Sequence, residues 1–227
     1  MTLLAAAPVA RAQEDETRNE LWPEVDTFIR FNPTARLFIL AARSSTKDDA
    51  WSDGSLGVHI DLALKRHHLL PFHKVSENVD DDRKQSISTR IGYRYISTFD
   101  NGDKTSIEDR GILELTLRKK LGGGVLLADR SRVDLRWIDG DYSWRYRNRV
   151  TCERDVKLGN YNFTPYAAAE IGFDSRYDHW NRNRLTIGTQ WPMTPKVMLD
   201  SYVTRQSDDS SNPGLVWALG LALNLAY

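Results

Sequence analysis

The sequence predicts an all-β fold, an antiparallel up-and-down transmembrane β-barrel of about 10–12 strands. Three observations predict it. Apolar and polar residues alternate with a period of two along most of the chain, and helical periodicity is almost absent. The alternating segments are long, several reaching ten residues or more, where a soluble strand averages about five or six and a tilted strand needs about 9–11 to cross a bilayer. The chain also ends on an aromatic, Tyr227, which closes an alternating apolar segment.

Composition narrows the class further. The 227 residues carry 31 basic and 31 acidic side chains, a formal net charge of zero. A nucleic-acid binder that tracks phosphates would show a basic excess. Hydrophobic residues at 41% and charged ones at 27% are too mixed for intrinsic disorder. The single cysteine, Cys152, excludes an internal disulfide framework and a cysteine-built zinc site. No apolar run reaches the roughly 18 residues of a membrane-spanning helix.

From the amino terminus, residues 1–12 read as a signal peptide: a short apolar run ends in Ala10, Arg11 and Ala12, a small-x-small cleavage pattern, and an acidic stretch follows. The charged n-region of such a leader is missing, which points to a misplaced start or a clipped peptide. Residues 13–227 then form a single barrel domain. The first strand candidates are residues 24–31, 35–43 and 55–64. Residues 86–97 set Ile87, Ile91, Tyr93 and Tyr95 against Arg90 and Arg94, and residues 107–119 set Leu113, Leu115 and Leu117 against Glu108, Arg110, Glu114 and Arg118. Residues 125–138 oppose Val133, Leu135 and Trp137 to Arg130, Arg132, Asp134 and Arg136. Residues 142–153 oppose Trp144, Tyr146 and Val150 to Arg145, Arg147, Arg149 and Glu153. Residues 164–174 carry Glu170 and Asp174 opposite Ile171 and Phe173. Residues 181–191 carry Arg182 and Arg184 opposite Leu185 and Ile187. Residues 196–206 precede the last strand, 215–227.

Turn signals separate these segments, Asp139-Gly140 among them. Eleven strands are visible. A barrel with both ends in the periplasm needs an even number, so one more is expected, at residues 67–84 or before Trp22.

Alternation does not say which face is buried. A soluble lipocalin-like barrel in the periplasm would turn its apolar face inward and bind an apolar ligand, with Leu221, Leu223 and Ile187 as core. An outer-membrane barrel reverses the faces. Strand length favours the second, as do the aromatics Trp22, Trp51, Trp137, Tyr142, Trp144, Tyr161 and Trp191 near strand ends, where an interfacial girdle would place them. Leu221, Leu223, Leu225 and Tyr227 resemble the carboxy-terminal signal read by bacterial barrel-assembly machinery, with Ala222 where glycine is usual.

A family resemblance rests on Pro165-Tyr166, Glu170 to Asp174, Trp180 to Leu185, Gly188, Leu199 to Tyr202, and Arg205-Gln206. This stretch resembles the bacterial domain of unknown function numbered twenty-four-ninety, whose members look like outer-membrane β-barrels. Leu21 to Val25 is similar to that family's opening strand. The resemblance implies fold and a bacterial outer-membrane location, and it implies no activity.

Between residues 107 and 191 the charged face holds ten arginines against six carboxylates. Arginine pairs carboxylates bidentately, so this face is expected to form an interlocked network that plugs and stiffens the barrel, or a channel wall favouring small anionic solutes. The candidate lining residues are Arg130, Arg132, Arg136, Arg145, Arg147, Arg149, Glu153, Glu170, Asp174, Arg182 and Arg184. Outer-membrane lipid, lipopolysaccharide and the assembly machinery are the expected partners. No nucleic acid, cofactor or metal is expected.

A third class, an outer-membrane lipid hydrolase, would rest on His59 beside Asp61, but no histidine lies in a His-x-Ser arrangement. The cluster His67, His68 and His73, and the acidic pairs and triplet Asp48-Asp49, Asp208-Asp209 and Asp80-Asp81-Asp82, read as solvated loop charge. The chain is not expected to be an enzyme.

Overall fold

A computed structural model describes residues 17–46, 53–65, 85–100, 103–159, 161–210 and 214–227. The signal-like residues 1–12, Trp51, Asp48-Asp49, the cluster His67, His68 and His73, and Asp80-Asp81-Asp82 lie outside them. The strands are β1 (Thr17–Asn32), β2 (Ala35–Thr46), β3 (Asp53–Lys65), β4 (Gln85–Asp100), β5 (Asp103–Lys120), β6 (Val125–Ile138), β7 (Asp141–Arg154), β8 (Val156–Leu158), β9 (Tyr161–Asp174), β10 (His179–Thr194), β11 (Val197–Asp208) and β12 (Leu215–Ala226).

Each long strand pairs antiparallel with the next, except that β7 pairs with β9 while β8 adds only a three-residue fringe to β9. The ring closes by pairing β1 with β12. Eleven strands therefore form a closed barrel. They are the eleven segments that alternation marks, so the expectation of an even number is corrected for the described residues. The physical reason lies in the closure. β1 and β12 run parallel, with Thr17 opposite Leu215 and Phe28 opposite Ala226. A parallel ladder satisfies the same backbone groups as an antiparallel one, only with slanted bonds. The stretch before Trp22 proves to be β1 itself, which extends back to Thr17. Thr17 and Tyr227 accordingly stand at opposite ends of the barrel.

Local chemistry explains the turns. Asp139 and Gly140 join β6 to β7 with φ of 52° and 94°, the two positive values that a two-residue hairpin matching strand twist requires. The Asp139 carboxylate also accepts from the Ile107 backbone N–H at 2.8 Å, tying the turn to β5.

The apolar face points outward. Ile187, Leu113 and Ile91 are more than half exposed, and Leu221 and Leu223 lie on the same outer surface. A soluble barrel would bury Leu221, Leu223 and Ile187, so that alternative does not fit. Aromatics ring this surface at two levels. Near the Thr17 end stand Trp137 against Tyr142, Trp144 against Phe173, and Trp180 against Phe173 and Tyr146. Near the Tyr227 end stand Phe163 stacked on Trp191, with Tyr161 and Tyr227. Along β10, Trp180 and Trp191 are separated by a strand length of about 37 Å, or about 26 Å once tilted, the height of an outer-membrane apolar band.

Trp22 is a correction to the expected girdle. Leu21 and Val25 take the outer face of β1, so alternation turns Trp22 inward, where its Nε1 donates to Glu20 at 2.6 Å and Arg184 lies over its ring. On the outer wall Asn148 donates to Asp129 at 2.7 Å, and Ser131 and Tyr146 hydrogen-bond at 3.1 Å. These polar groups in the apolar surface satisfy one another.

Candidate functional site

The interior is built by the inward half of each alternation. On β7 these residues are Ser143, Arg145, Arg147, Arg149 and Glu153; on β9, Tyr166, Glu170 and Asp174; on β6, Arg130, Arg132, Asp134 and Arg136. Register then sets like charges side by side: Arg110 faces Arg136, Arg132 faces Arg147, and Arg130 faces Arg149 across neighbouring strands. Directly opposed like charges destabilise a sheet, so the carboxylates must bridge diagonally, and they do.

Asp174, fully buried, accepts from Arg145 and Arg136, each at 2.6 Å. Arg136 continues to Glu108 at 2.8 Å, and Glu108 also receives Arg110 at 2.7 Å. Arg110 approaches Asp134 at 3.8 Å, and Asp134 is bonded by Arg132 at 2.5 Å. Arg147 approaches Asp134 at 3.8 Å and grips Glu170 with two nitrogens, at 3.0 and 3.1 Å. Arg130 adds a third bond to Glu170 at 3.1 Å. The result is one continuous lattice over β5, β6, β7 and β9. Buried ion pairs hold only when their geometry and remaining hydrogen bonds are good, which this sharing provides. A lateral branch pairs Arg182 with Asp208, which also accepts from Asn181 at 3.2 Å; Asp208 is thus buried at the end of β11 and not the solvated loop charge expected of it.

A second cluster fills the other side. Asp61 accepts from Arg36 at 2.8 Å and from Arg90 at 2.6 Å. Those guanidiniums lie over Phe28 and Phe38, which stack on each other with centroids 4.9 Å apart, and His59 stacks on Phe38 at 5.2 Å. His59 fits because Gly57 and Gly92 lack side chains; a Cβ on Gly92 would lie 2.2 Å from its Nδ1. Tyr202 lies flat over Gly220 in the same manner.

The structure thus brings together ten of the eleven candidate lining residues: Arg130, Arg132, Arg136, Arg145, Arg147, Arg149, Glu170, Asp174, Arg182 and Arg184. Glu153 is buried on the inner face nearer the Tyr227 end, apart from them. Leu221, Leu223, Leu225 and Tyr227 all lie on the outer side of β12. His59 and Asp61 share a face as expected, yet Asp61 is engaged by the two arginines. Among the described residues no group of three metal-ligating side chains comes together.

Sequence reasoning missed the acidic wall of β1, where Glu20, Glu24 and Asp26 face inward alongside Trp22. Their alternation with Leu21 and Val25 was the available signal. A cavity of about 610 Å³ lies between this wall and the arginines. Its lining runs from Arg18, Arg43 and Asp53 near the Thr17 end to Asp26, Phe38, His59, Arg90, Tyr202 and Arg149 about midway down.

A closed barrel with an apolar exterior, aromatic belts and a charged, ion-paired interior is an outer-membrane-type β-barrel. Residues 82–216 match the family described as protein of unknown function (DUF2490), and the chain belongs to that family. The match includes the stretch 164–206 and leaves out Leu21 to Val25. Among solved structures the chain is similar to the β domain of the Bordetella autotransporter BrkA, with 13% identity over 85% of this chain and 83% of that one and a TM-score of 0.44. No curated protein matches the chain.

Proposed function

We propose that this chain resides in the bacterial outer membrane as a braced barrel, closed to free diffusion, whose interior receives small anionic solutes from the Thr17 end. The observation that carries this reading is the depth of the cavity. Its lining stops at Phe38, His59 and Arg90, short of the Tyr227 end. Phe38 and Arg90 form its floor, and beyond them lie Phe28, Asp61 with Arg36, the Tyr166–Asp200 hydrogen bond of 3.0 Å, and Met198 against Ala226. Outer-membrane lipid and lipopolysaccharide would contact the apolar band and its rims, and the assembly machinery would read the β12 terminus.

A second reading, a narrow anion-leaning channel, is favoured by the arginine excess on the cavity wall: among the described lining residues twelve arginines stand against four carboxylates. Planar-bilayer recording separates the two. The closed reading expects no discrete conductance steps from the purified barrel. Steps with anion preference, lost when Arg147 and Arg149 are replaced by glutamate, would establish the channel.

The proposal includes no catalytic step. An esterase activity in mixed micelles that His59→Ala removes would overturn that part.

A further inference from the structure

Three arginines on the cavity stand outside the ion-paired lattice. Asp134 and Glu170 are each shared by more than one arginine. Among the described residues Arg149 has no carboxylate within ion-pair distance, and neither does Arg94, whose buried Nε has no acceptor among them. Arg184 donates from Nε to the amide oxygen of Gln206 at 3.1 Å and lies over the Trp22 ring, with no carboxylate within ion-pair distance among the described residues. These three come from β7, β4 and β10 and line one compartment. Arg184 lies within electrostatic range of Glu170 as well as of Arg149, and Arg94 within range of Glu24 and Asp26 as well as of Arg147.

The facing wall has the opposite defect. Glu24 and Asp26 lie side by side on β1, line the same cavity and are within electrostatic range of Arg94. Among the described residues no arginine approaches either within ion-pair distance, and Asp26 Oδ1 is buried without a partner. Desolvated charge without a partner is costly, and here both signs occur on opposing walls of a space sized for a small molecule.

We infer that the compartment binds a small solute carrying both a carboxylate and an ammonium group, with the carboxylate held by Arg149 and Arg184 and the ammonium turned to Glu24 and Asp26. This deepens the proposed function and rests on its reading of the cavity as a solute compartment. Arg94 adds a further positive group, so a zwitterion with a second carboxylate fits best.

The test is calorimetric titration of the purified full-length barrel in detergent at fixed ionic strength, with L-glutamate and glutarate as probes. They share two carboxylates, and only glutamate has the ammonium. Glutamate is expected to bind at least about tenfold more tightly, the worth of one charge-assisted hydrogen bond. Arg149→Gln or Arg184→Gln should weaken both probes by a similar factor. Glu24→Gln with Asp26→Asn should bring glutamate down to the affinity of glutarate. Arg36→Gln, below the cavity, should change neither.

Equal affinities in the parent would overturn the zwitterion assignment while leaving a plain anion compartment. Binding of neither probe by a barrel that still runs as a compact unboiled band would overturn the site altogether. The parent comparison needs no variant, so a misfolded mutant does not spoil the test. Bilayer conductance would count against the closed barrel without altering the ranking of the two probes.

Discussion

Glu170 accepts from Arg147 and Arg130, so its loss would take from two interior guanidiniums their nearest carboxylate, leaving only contacts of 3.8 Å to Asp134 and Glu114. Breaking a buried pair by removing one partner costs about 3–5 kcal/mol. Glu170→Ala is therefore expected to destabilise the barrel by about that amount in urea unfolding from lipid vesicles, and Glu170→Gln by less, because the amide oxygen still accepts. An unchanged midpoint for Glu170→Ala would mean that the lattice is ornamental. Glycine positions make a second expectation at this scale. The three atoms nearest a Cβ on Gly220 all belong to the Tyr202 ring, the first 2.0 Å away, whereas one on Gly92 meets both the His59 ring and the Val58 carbonyl oxygen at 2.6 Å. Tyr202→Ala should rescue Gly220→Ala, while His59→Ala should rescue Gly92→Ala only in part, since the backbone clash remains. Equal rescue in both pairs would contradict this geometry.

Among the strands, β10 displays the whole logic of the wall. Its inner residues Arg182 and Arg184 join the interior, its outer residues Leu185 and Ile187 face outward, and Trp180 and Trp191 mark the two rims. Cost on the lipid face depends on depth. Ile187→Arg should destabilise by about 2–4 kcal/mol and Trp191→Arg by about 0–1 kcal/mol beyond the packing it loses on Phe163. Vesicle unfolding of the two variants checks the order. A smaller effect at Ile187 than at Trp191 would place the bilayer elsewhere on the barrel. The phase of these alternations was legible in the sequence, and Trp22 shows its limit. Proximity to a strand end suggested a girdle residue, while the parity of β1 turns it inward.

For the whole molecule, closure by a parallel β1–β12 pair is the feature most open to attack. Leu21 and Leu219 are direct partners on the outer face, at a spacing that suits a disulfide. With Cys152 replaced by serine, Leu21→Cys with Leu219→Cys should cross-link under mild oxidation and shift the band on a denaturing gel. Absence of the cross-link would argue for a different closure. Heat-modifiability reports on the barrel itself: an unboiled compact band in the outer-membrane fraction is expected, and a soluble periplasmic protein without the shift would refute the outer-membrane placement.

The sequence by itself determined the strands, their turns and the two faces, because a period of two and a turn such as Asp139-Gly140 are local properties. It also showed that arginine and carboxylate share one face. Only the tertiary structure decided which of them meet. Pairing depends on register and on curvature around the ring, which bring Arg136 to Asp174 across β7 and place Glu24 and Asp26 opposite Arg94. The parity of the barrel was likewise undecided in the sequence, since strand count says nothing of direction at the seam. Local alternation is written residue by residue, whereas the cavity and its unpaired charges exist only once eleven strands have closed.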